Sequence, residues 1–327
     1  MEAKKLITVG VLMGGPSSEH VVSLATAKEV LARLDSQKYK SLPIKIARTG
    51  KWSIDGKAVD PVKALKKCDV VFNALHGTYG EDGKVQALLE HHQIPYTGSG
   101  IAASALAMDK FHSRGLFKLA GLQAPRTLCV TRGENYMAHA QFFANKVTGF
   151  PVVVKPCAQG SSVGVQIVQD VASLQSAIES ALELDRRVLV EEYIKGRELT
   201  CAVLEDVNGE GTALPVTEII PLEHHDFFNF DAKYKEGHAR EVTPAALDSV
   251  IYAKAQDIAR RAHDVLGCRG YSRTDMIWTP GNDDIFILEL NTLPGMTPTS
   301  LLPQAARAHG MAFAELVDHL IQIALKV

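Results

Sequence analysis

Two carboxylates and an amide oxygen are gathered by the stretch Tyr271-Ser272-Arg273-Thr274-Asp275-Met276-Ile277-Trp278, the turn Thr279 to Asp284 and the run Ile285 to Asn291. Side chains alternate along a strand, so Arg273 and Asp275 share one face, as do Glu289 and Asn291. Folding a hairpin about the turn sets Asp275 beside Glu289. Adjacent like charges at the end of an apolar hairpin are costly unless something neutralises them. Oxygen donors with no Cys or His among them suit Mg²⁺, which completes its shell with water and phosphate. A surface salt bridge between Arg273 and the acids is the plainer alternative.

A second stretch, Val152-Val153-Val154-Lys155-Pro156-Cys157-Ala158-Gln159-Gly160-Ser161-Ser162-Val163-Gly164-Val165, lacks the G-K-[ST] ending and following helix of a P-loop. It joins two strands, as a glycine-rich flap over nucleotide phosphates does, with N–H groups and the Ser161 and Ser162 hydroxyls at its tip and Lys155 in the strand. Alone it reads equally well as a plain hairpin turn; beside a metal-binding hairpin it reads as the other half of an ATP site. In Glu191-Glu192-Tyr193-Ile194-Lys195-Gly196-Arg197-Glu198 a strand end runs into a glycine turn. Carboxylates there are placed to accept from ribose hydroxyls while the strand backbone pairs with adenine, the alternative being two solvated acids. His224-His225-Asp226 has no cysteine nearby to complete a zinc site, and His91-His92 closes a helix; both are read as structural.

The elements that must position these groups follow from pattern. Over the first hundred residues β-branched runs (Leu6 to Met13, Val70 to Leu75) alternate with amphipathic stretches (Val21 to Leu34, Val85 to His92), the rhythm of a parallel sheet flanked by helices. The first turn, Gly14 to His20, is not the G-x-G-x-x-G fingerprint, so no NAD site is expected. A helix is predicted over Ile101 to Leu119, then strands Val152 to Lys155 and Val163 to Val168, helix Val171 to Leu184 and strand Val188 to Tyr193. Strands near Leu199 to Leu204 and Ala213 to Ile220 precede a long polar, aromatic segment, Pro221 to Arg240. Helix Ala245 to Leu266, capped by Gly267, the hairpin and a final helix complete an α/β (α+β) chain.

With 327 residues, 46% of them hydrophobic, the chain suffices for two or three domains, and disorder, collagen and coiled coil are excluded. Lys and Arg number 35 against 37 Asp and Glu, with no basic block, so nucleic acid is not expected as a partner. Five scattered cysteines without a C-x-x-C pair argue against disulfides or zinc. The apolar N-terminal run reads as a first strand rather than a signal peptide, and no stretch reaches a membrane span, so a soluble, intracellular protein is expected.

The set His76-Gly77-Thr78-Tyr79-Gly80-Glu81-Asp82-Gly83, Gly160-Ser161-Ser162-Val163-Gly164, Arg273-Thr274-Asp275 and Glu289-Leu290-Asn291-Thr292-Leu293-Pro294-Gly295-Met296 closely resembles the D-alanine–D-alanine ligases, ATP-grasp enzymes. The resemblance runs through essentially the whole chain in the family's order. It implies a three-domain ATP-grasp fold: a Rossmann-like N-terminal substrate domain (1–100), a central domain with the flap (101–194), and a C-terminal domain with a lid loop and the Mg²⁺ hairpin (195–327). It further implies a cytoplasmic homodimer that uses ATP with two Mg²⁺ ions, or Mn²⁺ in their place, to make D-alanyl-D-alanine for peptidoglycan through a D-alanyl phosphate.

Position by position, Lys110 and Lys155 resemble the family's phosphate-binding lysines, Ser162 a flap contact, and Glu191 and Glu198 its nucleotide contacts at hinge and ribose. Asp275, Glu289 and Asn291 match the metal ligands. Glu19 resembles the residue that binds the first D-alanine's ammonium, with Ser161 and Tyr234 as its partners and His76 near by. Arg273 and the Gly295 N–H resemble the oxyanion stabilisers, and Ser300 with Lys233 the site for the second carboxylate. Tyr234 favours an amine as second substrate. A D-lactate- or D-serine-using ligase and a non-catalytic nucleotide binder are the alternatives. Thr274 departs from the family's apolar residue, and alternation turns it away from the metal.

Overall fold

The computed structural model describes residues 5–160, 163–222 and 239–326. The first apolar run, Ile7–Gly14, is an interior strand of a five-stranded sheet, parallel to Tyr39–Ile46 on one side and Val70–Asn73 on the other. Such a strand needs apolar residues on both faces, which ITVGVLMG supplies. Leu12 packs on one side of this sheet with Ile44, Trp52 and Leu89. On the other side Val9, Val11 and Phe72 share a core with Met296, Leu316 and Leu320 from the far end of the chain. Leu293 and Met296 of the segment after the last strand are thereby held against the first sheet.

The second sheet is antiparallel, in the order Thr127–Thr131, Arg187–Glu192, Val152–Pro156, Gln166–Val168, with helix Val171–Leu184 on it. The third has six antiparallel strands: Ala239–Val242, Thr217–Pro221, Arg197–Glu205, Tyr271–Thr279 and Asp284–Asn291 in line, with Gly211–Ala213 on Arg197–Glu205. Helix Ser249–Leu266 covers it. The helix starts four residues later than expected because the Asp248 carboxylate accepts from the Val250 and Ile251 N–H groups, and Gly267 closes it in the left-handed conformation. The expected strand 213–220 divides into two, and the final helix into Leu301–Ala308 and Phe313–Lys326.

Two departures from regularity shape the site. The helix expected over 101–119 is broken at Asp109, whose backbone is extended (φ −86°, ψ 92°) and whose carboxylate accepts from the His112 N–H. This restart places Lys110 at the first position of the second helix, at its positive end. In the hairpin, pairing moves from Asp275↔Glu289 to Met276↔Ile287, leaving Leu288 as an extra, bulged residue. Ile285 and Ile287 face the core; without the bulge Glu289 and Asn291 would follow them there, and with it they turn to the opposite face.

Ala103, Ala107 and Phe117 of the two short helices pack with Leu199, Ile258, Met276 and Ile287, so these helices belong to the core of the third sheet. All five cysteines are free, and among the described residues no helix is long and apolar enough to cross a membrane. Phe117 is wholly buried in this core, beneath the helix that carries Lys110. Phe117→Ala is expected to lower unfolding free energy by about 3–5 kcal/mol. A urea midpoint unchanged from wild type would contradict that placement.

Candidate active site

The hairpin delivers its acids to one face because the bulge at Leu288 brings Glu289 and Asn291 round to the side of Asp275. Asp275, 4% exposed, receives Nε and Nη2 of Arg273 at 2.8 and 2.7 Å, Thr200 Oγ1 at 2.7 Å and Asn291 Nδ2 at 3.2 Å. The Arg273–Asp275 pair is thus a fork inside the cleft and not a surface salt bridge. Asn291 gives its amide nitrogen to Asp275, which leaves the amide oxygen as the ligand-type atom beside the two carboxylates. Oxygen donors of this kind fit a hard divalent cation. Thr274 faces away, buried, and its hydroxyl has no partner among the described residues, a packing cost of the departure from an apolar side chain.

Opposite the acids stand the lysines. Lys110 Nζ lies 3.2 Å from Glu289 Oε2 and donates to the Gln159 carbonyl of the flap at 2.7 Å. Asp109, which caps the Lys110 helix, is also gripped by Arg187 of the neighbouring sheet. Lys155 Nζ sits 3.1 Å from one oxygen of Glu191, and Arg114 takes the other. Burial pushes the Glu191 carboxyl up, but Arg114 and Lys155 outweigh it and hold it ionised, below its usual range. Lys155 is pushed down to about 8, by burial first and by the Arg114 charge next, against the pull of Glu191. Glu191, expected as a nucleotide contact, also anchors Lys155.

Lys110, Lys155, Glu191, Asp275 and Glu289 line a cavity of about 360 Å³ between the second and third sheets, with Tyr193, Glu198, Ile277 and Leu288 among its walls. It has the size and the mixed apolar and charged lining of a small-ligand site. Glu19 borders the far end of the flap. Its Oε2 is so close to Gly77 and Gly160 that a Cβ on either would lie 2.6 or 2.8 Å from it. The carboxylate is therefore clasped between the first motif and the flap, at the N-terminus of helix His20–Arg33, where the dipole favours negative charge.

Behind Glu19, His76 Nε2 meets Thr26 Oγ1 at 2.9 Å, and Nδ1 is 3.5 Å from Glu81. Burial opposes charge on His76, yet Glu81, with Glu19 beyond it, raises its pKa. At the third corner, a Cβ on Gly295 would lie 2.7 Å from Ser300 Oγ, and Ser300 accepts from the Thr297 N–H. Gly295 and Ser300 are thus side by side. Ser161, Ser162, Lys233 and Tyr234 lie outside the described residues.

Sequence reasoning passed over Arg114, Asp109, Arg187 and the pairing role of Glu81. Arg114 carried a legible sign: it is four residues after Lys110 on one helix, so both cations project from one face. Asp109 carried another, since Asp before a helical run is a capping residue.

The lysine's lowered pKa makes two expectations. Unfolded lysine titrates near 10.5 and folded Lys155 near 8, so between those values the unfolded chain holds more protons and stability rises with pH. Over the same window the ammonium is lost, so ADP affinity measured by calorimetry is expected to fall as pH rises past about 8. Lys155→Arg, which stays charged, should flatten the profile. A wild-type affinity unchanged from pH 7 to 9.5 would contradict this.

Comparison with known proteins places this geometry among relatives. Family models described as D-ala D-ala ligase C-terminus and D-ala D-ala ligase N-terminus match residues 116–322, and residues 8–65 and 55–99. A D-alanine–D-alanine ligase of Syntrophobacter fumaroxidans is 46% identical over 326 residues, covering 100% of each chain. The VanG D-Ala:D-Ser ligase of Enterococcus faecalis superposes with a TM-score of 0.86 at 33% identity, over 98% of this chain and 100% of that one. A D-alanine–D-alanine ligase of Bacillus anthracis complexed with ATP gives a TM-score of 0.81 at 35% identity, over 98% of each. Clasped acid, paired lysines and bulged carboxylate hairpin thus occur in a chain whose whole length aligns with such enzymes: it belongs to the D-alanine–D-alanine ligase family, with the ATP-grasp fold.

Proposed function

We propose that this protein joins two D-alanine molecules at the expense of ATP, giving D-alanyl-D-alanine for peptidoglycan, and that the residues above divide the work. The observation that carries the reading is the meeting of Asp275, Glu289 and Asn291 on one face of the hairpin opposite Lys110 and Lys155. Attack by a carboxylate on the γ-phosphoryl group brings anion to anion, and the two lysines lower that repulsion. Asp275, Glu289 and Asn291 would hold Mg²⁺, which when bound neutralises phosphate charge and aligns the leaving group. Glu198, on the cavity wall, would bind the ribose. Glu19 would bind the first substrate's ammonium and so point its carboxylate at the phosphates.

In the second step an amine attacks the acyl phosphate. Arg273 and the Gly295 N–H would stabilise the tetrahedral oxyanion, and Ser300, beside Gly295, would hold the second carboxylate with Lys233. Ser161, Ser162 and Tyr234 would complete the enclosure that keeps water from the acyl phosphate. Family membership supports a cytoplasmic homodimer, and three sheets support domains at 1–100, 101–194 and 195–327, with the 101–119 helices adding to the third core. The likeness to VanG keeps D-serine as an alternative second substrate.

Incubation with ATP, Mg²⁺ and D-alanine should release phosphate and yield a product with the mass of the dipeptide, L-alanine being much poorer. Adding D-serine or D-lactate and weighing the product separates the alternatives. Release independent of D-alanine would refute the reading. Asp275→Asn and Glu289→Gln should each cut kcat by at least about a hundredfold; a fully active variant would remove that residue from the metal site.

A further inference from the structure

The hairpin bulge and the buried Lys155–Glu191 pair sit on different sheets, yet one side chain binds both. Arg114, 2% exposed, donates Nε and Nη2 to the carbonyl of Leu288 at 3.1 and 2.7 Å. Leu288 is the extra residue of the bulge that directs Glu289 and Asn291 into the cleft. The remaining arm, Nη1, donates to Glu191 and, at 3.2 Å, to Thr127 Oγ1 of the second sheet. A guanidinium is a planar fork whose directions are fixed, so satisfying these partners at once sets their relative positions.

We propose that Arg114 is a positioning residue for phosphoryl transfer, fixing the lysine wall of the cleft against the carboxylate wall by binding Glu191 and the bulged Leu288 carbonyl together. The proposal rests on the nucleotide reading above. Through Glu191 it sets where Lys155 meets the polyphosphate, and through Leu288 it holds the irregular turn that aims Glu289. Lysine keeps the charge but supplies one ammonium without the fork, and cannot span both partners with the same geometry. Nothing of Arg114 is directed at Glu19, Gly295 or Ser300, so the amino acid subsites lie beyond its reach.

The test compares wild type with Arg114→Lys and, in case that variant folds poorly, Glu191→Gln, which keeps shape and removes the charge that anchors Lys155. Three quantities are read: ADP affinity with Mg²⁺ by calorimetry, KM for ATP, and KM for D-alanine. Losing one charge-assisted contact is expected to weaken ADP and raise KM for ATP by about tenfold or more, with KM for D-alanine within about twofold. A role confined to holding the fold would lower the melting temperature and the active fraction while leaving affinity and both KM values at wild type; that result overturns the proposal. So does a rise of both KM values together. ADP affinity is read without turnover, so a wild type that binds ADP but makes no dipeptide refutes the ligase reading, and the variants' ADP affinities still decide the role of Arg114.

Discussion

Alternation of buried charge is the constraint around which the cleft is organised. Arg114, Glu191 and Lys155 follow one another on one wall, Lys110 and Glu289 bridge the walls, and Arg273 and Asp275 close the hairpin end. Each charge lies in a position where, alone, desolvation would neutralise or expel it. Each is kept because its neighbour has the opposite sign. The arrangement leaves cationic groups facing a cavity that polyanions would enter, while the overall formal charge of the chain is only −2.

Holding such a chain of charges demands backbone irregularities at particular places. The break at Asp109 turns what would be one helix into two and presents Lys110 at an N-terminus, where side chain and dipole both favour an anion. The bulge at Leu288 reverses which face Glu289 and Asn291 occupy. Gly77, Gly160 and Gly295 stand where any Cβ would collide with Glu19 or Ser300. Regular strands and helices with ordinary side chains would carry the same residues and bring fewer of them together.

The first and third sheets are also locked to one another through a shared core, while the second sheet has a core of its own. Leu293, Met296 and Leu302 pack with Val9, Val11 and Phe72, so the Gly295–Ser300 corner and the Glu19 corner are set by one apolar cluster. The 101–119 helices pack under the hairpin, so Lys110 and Arg114 are fixed relative to Glu289 by the burial of Phe117 and Ile287. The relative placement of these charged and polar groups thus depends on hydrophobic contacts away from the cleft.

The pairing of Asp275 with Glu289 depends on the extra residue Leu288, which a two-residue period does not record. Alternation was enough to put Arg273 with Asp275, and Glu289 with Asn291, on shared faces, because that period is local and a turn rich in Gly, Asn and Asp announces itself. Glycine-rich motifs, the strand rhythm of the first sheet and the Gly267 cap were legible for the same reason. The sequence by itself showed which residue types and spacings could carry chemistry and, so long as an element was regular, which of its side chains share a face. Only the tertiary structure decided that Glu191 serves Lys155, that Arg114 spans two sheets, and that Phe117 belongs to the third core. The two Arg114 contacts join residues 77 and 174 positions apart. Partners at such separation are chosen by burial and by the need to match charge once the sheets have packed, which no local pattern records.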